Sequence, residues 1–478
     1  MAKQRPPIMI QGCTSDAGKS FLVAALCRSL ANRGLKVAPF KAQNMSNNAA
    51  VTTDGGEIGR AQWLQALACR ITPTTAMNPV LVKPYADTRS QVIVEGRPDP
   101  LVSSLPWTGR RDRLWPVVAR NLHALIDTHE CVVIEGAGSP AEINLRAGDI
   151  VNMSVALEAH AHVYLVADID RGGAYAHLLG THACLAPEEQ ALLRGFVLNK
   201  FRGDPALLAS ADAWLREKTG IPVTALIPFT RHALPEEDAF FHRQLPVEGN
   251  TSIALILYPW ASNLDEFDPL IHETGVSLVP IKSPTRLEAF HAVILPGSKN
   301  TVASLTYLRE SGLGAEIARA AQRGIPIVGV CGGMQLLGNH IRDPHGLEGG
   351  DLPGLGLLDL DTELLPEKTT RQRTVRWLGG GEVHGYEIHH GNSTPGPAVK
   401  PFLDDGLGYR QANLWGTYLH NLFANTAFRQ TFLATLGWAG TSQDFAALVD
   451  AELDRMASVV EAAGLTDAVI QNQQGEGN

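Results

Sequence analysis

The run Ile325-Pro326-Ile327-Val328-Gly329-Val330-Cys331-Gly332-Gly333-Met334-Gln335-Leu336-Leu337 constrains this chain more than any other. Its apolar first part predicts a buried strand, and the residues after Gly333 predict a helix. Between them sits Gly-x-Cys-x-Gly, the thiol form of the sharp strand-to-helix turn that lifts a nucleophile above an α/β sheet. The glycines permit the tight backbone and leave the sulfur accessible. The free N–H groups of the new helix point at the same place, where they favour a thiolate and can hold an oxyanion. A structural cysteine buried at a strand end is the plainer alternative. To act, Cys331 needs a base, and its product needs a use elsewhere in the chain.

A second turn of the same architectural kind lies at the start. The strand Pro7-Ile8-Met9-Ile10-Gln11 runs into Gly12-Cys13-Thr14-Ser15-Asp16-Ala17-Gly18-Lys19-Ser20, and a helical pattern follows from Phe21 to Ala31. In a phosphate-binding loop, backbone N–H groups cradle phosphates, the lysine reaches the outer ones and the hydroxyl holds Mg²⁺. Thr14, Ser15, Asp16, Gly18, Lys19 and Ser20 are therefore candidate ATP-binding residues, with one residue more between the glycines than the standard pattern. A polar segment, Lys41 to Asn48, follows the strand Leu35–Phe40. Thr52 to Arg60 then opens a helix running to about Arg70. Asp54 there is either an Mg²⁺ ligand or a helix cap. Glu135 ends the strand that starts at Cys131, at the edge where open α/β sheets keep their ligands, and is a second acidic candidate near the metal. Asp168, Asp170 and Arg171 end the next strand and face the same cleft. Asn199, ending the strand from Phe196, is a candidate for a nucleotide base edge.

This alternation predicts an α/β chain whose first part, residues 1–228, is a mostly parallel, doubly wound sheet. Residues 229–250, rich in Pro, Glu, Asp and His, read as a linker. A second alternating series fills 251–437 and carries Cys331; a C-terminal helix and a polar tail, frayed from Gln471 on, occupy 438–478. The chain has 16 histidines, so the base cannot be picked by counting. His420 stands out because it follows the apolar strand Leu414–Leu419; His384, His389 and His390 are its rivals.

Bulk properties narrow the function. A net charge of −9 argues against nucleic-acid binding. The 6 cysteines are scattered, with no CxxC pair, which fits neither a disulfide framework nor a metal knuckle and suits a reducing cytoplasm. No apolar run approaches the roughly 20 residues needed to cross a bilayer, and no signal peptide is read at the start.

Several motifs together resemble a known family. Gly329-Val330-Cys331-Gly332-Gly333 with Gly416-Thr417-Tyr418-Leu419-His420 resembles a class I glutamine amidotransferase domain. The segments Leu295-Pro296-Gly297-Ser298-Lys299-Asn300-Thr301 and His384-Gly385-Tyr386-Glu387-Ile388-His389 are similar to its cobyric/cobyrinic acid branch. The N-terminal loop resembles the dethiobiotin synthetase group, a P-loop NTPase-like fold. Phe40 to Asn47 and Asp54 to Gln62 narrow the likeness to the branch that completes the amidation of the corrin ring.

The resemblance implies a glutamine- and ATP-dependent carbon–nitrogen ligase of cobalamin biosynthesis. It implies that His420 deprotonates Cys331, that backbone N–H groups near Gly332 and Gly297 hold the oxyanion, and that ammonia passes internally to the first half. There ATP would be bound, with Mg²⁺ on Ser20 and, by analogy, on Asp54 and Glu135. The implied substrate is an adenosylated cobyrinic acid a,c-diamide, amidated at side chains b, d, e and g, with Lys41, Asn44 and Arg60 among its contacts. Two alternatives stay open: the sister enzyme that amidates carboxylates a and c, and a P-loop regulatory ATPase with an inert amidotransferase-like domain. Many class I domains place a glutamate two residues after the histidine, where this chain has Leu422. His420 then acts with Cys331 as a dyad or is oriented by another group.

Overall fold

The computed structural model describes residues 5–86, 89–235 and 251–475. Its first large sheet has six strands, all parallel. Their order is Val223–Pro228, Leu193–Phe201, His162–Asp168, Ile8–Gly12, Cys131–Glu135, Val37–Phe40. Side chains alternate between two apolar layers, as the twofold period of a strand demands. Met9, Val163 and Leu165 enter one layer; Ile8, Ile10, Tyr164 and Val166 enter the other. With both faces covered, the strands are apolar throughout rather than alternating with polar residues. The strand order reverses at Ile8–Gly12, so a ligand crevice opens at its C-terminal end, where Gly12–Ser20 lies.

The stretch between Val37–Phe40 and Cys131–Glu135 is an insertion with its own strands. Gln43–Met45, Val80–Ala86, Arg89–Val94 and Arg97–Pro98 form a four-stranded sheet. Ala49–Val51 pairs with Glu57–Gly59, so the helix expected to open near Asp54 begins at Arg60 and ends at Ala68. The helix Arg111–Thr128 buries Leu114, Val118, Leu122 and Leu125, one stripe at helical spacing.

The second large sheet has seven strands. Five are parallel: Val276–Ile281, Thr251–Ile256, Ala292–Leu295, Ile327–Val330 and Leu414–Thr417. Gly408–Gln411 and Lys400–Leu403 extend it in antiparallel fashion. The strand that delivers Cys331 is therefore central. A long hairpin, Leu360–Arg376 with Glu382–Pro395, reaches from this half to the insertion of the first. Tyr386 Oη donates to Ala49 O (3.0 Å) and Gln372 Nε2 to Val51 O (2.8 Å). Tyr386 and Ile388 close an apolar cluster with Ala49, Val51, Leu81 and Ile93.

The C-terminal helices Phe445–Ala462 and Leu465–Gly475 return to the first half. Val449, Leu453, Met456 and Val460 pack in the layer that holds the helix Lys19–Asn32. Buried Arg28 pairs with Asp450 (2.6 Å), and Ser29 Oγ donates to Glu461 (2.7 Å). The expected fraying from Gln471 does not describe Gln473, which is buried and donates to Pro6 O (2.6 Å). Residues 476–478 lie outside the described residues, as do 236–250 of the expected linker. Among the described residues, no helix is long and apolar enough to cross a membrane.

Candidate active site

Cys331 joins the strand Ile327–Val330 to the helix Gly332–Leu337 with φ 51° and ψ −109°. That is a costly conformation for an L-residue, and the surroundings must hold it. The Cys331 N–H donates to Thr417 O (2.6 Å). A Cβ on Gly329 would lie 2.6 Å from Gly333 C, and one on Gly333 only 2.0 Å from Leu295 O. The two glycines that box the cysteine are thus required by close backbone packing. A Cβ on Gly332 would lie 2.7 Å from Ser298 N, so the amide-bearing segments around Gly332 and Gly297 adjoin. A Cβ on Gly297 would approach His420 Cε1 to 3.4 Å.

His420 follows the neighbouring strand, and its N–H donates to Tyr386 O (2.9 Å). Its ring stacks on Tyr386, with centroids 5.2 Å apart and planes 12° apart. Nδ1 lies 3.0 Å from Glu266 Oε1 and 3.3 Å from Asn263 Nδ2. The Glu266 contact assigns the Nδ1 proton and leaves Nε2 for the sulfur. His420 and Cys331 line one small cavity, and the Cys331 Sγ donates to Ile388 O (3.4 Å). Glu266 Oε2 in turn accepts the Asn421 N–H (2.9 Å). Burial alone would favour neutral imidazole. The negative charges of Glu266 and Cys331 outweigh it and push the His420 pKa up to about 10. The arrangement therefore favours the protonated, cationic form of His420.

Glu266 is the residue that sequence reasoning missed. The position where many class I domains keep the glutamate holds Leu422, which is buried in the apolar core. The carboxylate comes instead from 154 positions before His420, on the short turn Leu264–Phe267. The one signal was the acidic pair Asp265-Glu266 beside Leu264 and Phe267 in a segment otherwise fit for burial. Glu266→Gln is expected to lower glutamine hydrolysis by about 10²-fold with ammonia-dependent synthesis retained. Because the carboxylate stabilises the imidazolium, its loss lowers the pH at which His420 sheds its proton. The alkaline limb of the glutaminase pH profile should move down; an unmoved limb would show that Glu266 does not orient this histidine.

The rival histidines have other roles. His384 is exposed and pairs with Thr374 Oγ1 (2.8 Å). His389 stacks on Tyr418 at 3.8 Å, and its Nδ1 meets Gly391 O at 2.7 Å. His390 Nδ1 meets Leu365 O at 3.1 Å. His389 and His390 share with Cys331 and His420 a small cavity of about 40 Å³.

The second candidate site is built on the phosphate loop. Gly18, at φ 90°, caps the helix that starts at Lys19. A side chain there would meet Asn199 Nδ2 at 2.2 Å. Asn199 Nδ2 donates to Ala17 O (2.8 Å), so it braces the loop as well as facing the crevice. Lys19 Nζ donates to Gly138 O (3.1 Å) and to Thr14 O (3.3 Å). Burial holds the Lys19 pKa below its ordinary value, opposed by the charge of Glu135. Glu135 Oε1 accepts from Ser20 Oγ (2.7 Å) and Lys41 Nζ (2.8 Å), and Oε2 accepts from Gln65 (2.5 Å). Burial would raise the Glu135 pKa, but Lys41 and these hydrogen bonds hold it below the usual carboxylate range.

Gly18, Lys19, Ser20, Lys41, Glu135 and Asn199 line a cavity of about 1,650 Å³ with Ser15, Asp16, Asn44, Asp168, Asp170 and Arg171. It exceeds the roughly 300–1,000 Å³ of an ordinary small-molecule pocket. Lys41 and Asn44 line this cavity while Asn47 lines the one at Cys331, so one polar segment borders both.

Two expected residues are not brought here. Asp54 is exposed on the turn between Val51 and Glu57, where its carboxylate accepts from Thr52 Oγ1, and it neither meets Ser20 nor caps a helix. Arg60 pairs with buried Asp265 (2.5 Å) across the two halves, away from the crevice. Both belong to a segment whose polarity serves the contact between halves.

Comparison with known proteins agrees with this division. A family described as CobQ/CobB/MinD/ParA nucleotide binding domain matches residues 8–239. A family described as CobB/CobQ-like glutamine amidotransferase domain matches residues 252–428. A cobyric acid synthase of Deinococcus radiodurans is 51% identical over 479 residues, covering 96% of this chain and 99% of its own. One from Acidovorax sp. (strain JS42) is 51% identical, covering 89% and 92%. One from Paracidovorax citrulli is 49% identical, covering 95% and 96%.

Proposed function

The chain belongs to the cobyric acid synthase family, and from that membership we propose that it amidates the b, d, e and g carboxylates of adenosylcobyrinic acid a,c-diamide, using glutamine and ATP. The observation that carries this reading is the pairing, in one chain, of a Cys331–His420–Glu266 constellation with a Lys19 phosphate loop opening on a cavity large enough for more than a nucleotide.

In the second half, His420 Nε2 takes the Cys331 proton and the sulfur attacks the carboxamide carbon of glutamine. The sulfur–carbon bond forms, and the carbonyl oxygen takes up the electron pair against amides near Gly332 and Gly297. His420 gives its Nε2 proton to the departing nitrogen, and ammonia leaves. A water deprotonated by His420 then cleaves the thioester, releasing glutamate and restoring the thiol. Glu266 holds the imidazole in the required tautomer throughout.

In the first half, the loop amides and Lys19 bind the ATP phosphates. A substrate carboxylate oxygen attacks the γ-phosphorus and ADP leaves, giving an acyl phosphate. Ammonia attacks the acyl carbon, phosphate leaves, and the amide remains. The phosphorylation is what makes a carboxylate an acceptor for ammonia. Ser20 Oγ and Glu135 Oε1 offer hard oxygen donors 2.7 Å apart and fit Mg²⁺, which usually takes one or two protein oxygens and completes its shell with phosphates and water. The ion would neutralise charge on the outer phosphates. Asp54 does not fit this role, because it lies away from Ser20. Lys41 and Asn44 remain our candidates for corrinoid contact.

Purified protein supplied with ATP, Mg²⁺, glutamine and the a,c-diamide should convert four carboxylates to amides, counted by mass spectrometry. Conversion of the a and c carboxylates of cobyrinic acid instead would assign the chain to the sister reaction.

A further inference from the structure

Beside Cys331 the structure gathers more positive charge than the chemistry of acyl transfer requires. Lys83, Lys299 and Lys368 all line the 40 Å³ cavity that holds Cys331 and His420. Lys83 comes from the first half, the others from the second. Glu57 of the first half takes two of them, its Oε2 paired with Lys83 and its Oε1 with Lys368 (2.5 Å). Lys299 is left with a neutral acceptor, Gln91 Oε1, at 2.9 Å. Among the described residues no carboxylate lies within ion-pair distance of Lys299. Its pKa is held well below that of an ordinary lysine, first by burial and then by Lys368 and Lys83. A buried amine beside two other amines gives up its proton easily, and an arriving anion would hold the charge on it.

The opposite character is present in the same cavity. Asn47 Oδ1 is a buried acceptor with no partner. Glu348 also lines the wall, accepting from the Thr301 N–H (2.5 Å) and the Val302 N–H (3.3 Å). Lys299 follows directly on the Gly297-Ser298 segment that packs against Gly332. The cavity therefore has a nucleophile at one end, a cationic patch and a set of acceptors. That is the complement of an α-amino acid whose side chain is the group attacked.

We propose that Lys299, supported by Lys83 and Lys368, receives the α-carboxylate of glutamine, with its α-ammonium turned toward Asn47 and Glu348. The inference rests on the reading of this half as a glutaminase and adds which residues select the amino-acid end of the donor. Since Glu57 and Lys83 belong to the first half, the glutamine subsite is complete only where the two halves meet. The cavity is smaller than glutamine, so entry displaces the long lysine stems, which are the most adaptable part of its wall.

The test uses the full-length chain and three donors: glutamine, glutaramate, which lacks the α-amine, and 4-aminobutanamide, which lacks the α-carboxylate. The wild type should hydrolyse glutaramate more efficiently than 4-aminobutanamide. Lys299→Met should raise the KM for glutamine by about 10- to 100-fold, with a smaller change in kcat. It should leave 4-aminobutanamide hydrolysis and ammonia-dependent amidation unchanged, and Lys299→Arg should recover part of the loss. An unchanged glutamine KM would overturn the proposal. So would a loss that falls equally on 4-aminobutanamide, which would mark Lys299 as structural. A wild type with no glutaminase activity would instead refute the underlying reading.

Discussion

Cys331→Ala is expected to abolish glutamine-dependent amide formation, by about 10⁴-fold or more, while amide formation from added ammonium salt continues. The size follows from the chemistry. His420, Glu266 and the surrounding amides can hold a carboxamide, but without the sulfur there is no atom to attack it, and residues that act as a unit lose nearly everything when the nucleophile goes. The sparing of ammonia-dependent synthesis follows from the architecture. Cys331 directly follows the central strand of the second sheet, and Lys19 opens the helix after an interior strand of the first. Alanine fills less space than cysteine in a turn already held by Gly329 and Gly333, so the contact between halves through Tyr386 and Ile388 persists. Loss of synthesis from both nitrogen sources, in protein that remains folded, would contradict two separate centres.

What could be read without coordinates was mostly local. The turns at Cys331 and at Lys19 announced themselves because strand, glycines, reactive residue and helix are covalent neighbours. The helix Arg111–Thr128 was equally plain, since Leu114, Val118, Leu122 and Leu125 fall on one face. Glu135 could be placed at a strand end and its link to Ser20 suspected. What escaped were relations made by tertiary contact. Glu266 orients His420 from a distant turn, and the apolar flanks Leu264 and Phe267 hint that the acidic pair is buried without naming its partner. Asp54 and Arg60 looked like ligand-binding residues because polar loops beside a nucleotide site often are. Asp54 instead stands exposed on a turn with Thr52, and Arg60 pairs with Asp265 of the other half. The first C-terminal helix was visible as a helix and the second, Leu465–Gly475, was not; their docking on Lys19–Asn32 rests on pairs such as Arg28–Asp450, more than four hundred residues apart in sequence.

The second large effect concerns Lys19→Met. Lys19 is buried beside Glu135 and Lys41, with its amine on the carbonyls of Thr14 and Gly138 at the start of the helix that opens the crevice. A phosphate arriving there would exchange those neutral acceptors for a charged one, and the amine would neutralise charge that grows on the outer phosphate oxygens as the phosphoryl group moves. Methionine keeps the apolar stem and removes the charge. Amide formation should fall by about 10³-fold whichever nitrogen source is offered, because without the acyl phosphate neither source has an electrophile to attack. Glutamine hydrolysis at Cys331 should continue, its nitrogen then escaping unused.

That variant also gives the most direct measurement of the central claim, that nitrogen freed by sulfur chemistry in one half is fixed by nucleotide chemistry in the other. Lys19→Met protein, given ATP, Mg²⁺, the corrinoid and saturating ammonium salt, should yield corrinoid with its carboxylates intact by mass spectrometry, while the same preparation still releases glutamate from glutamine. Amides formed from ammonium at the wild-type rate would contradict it.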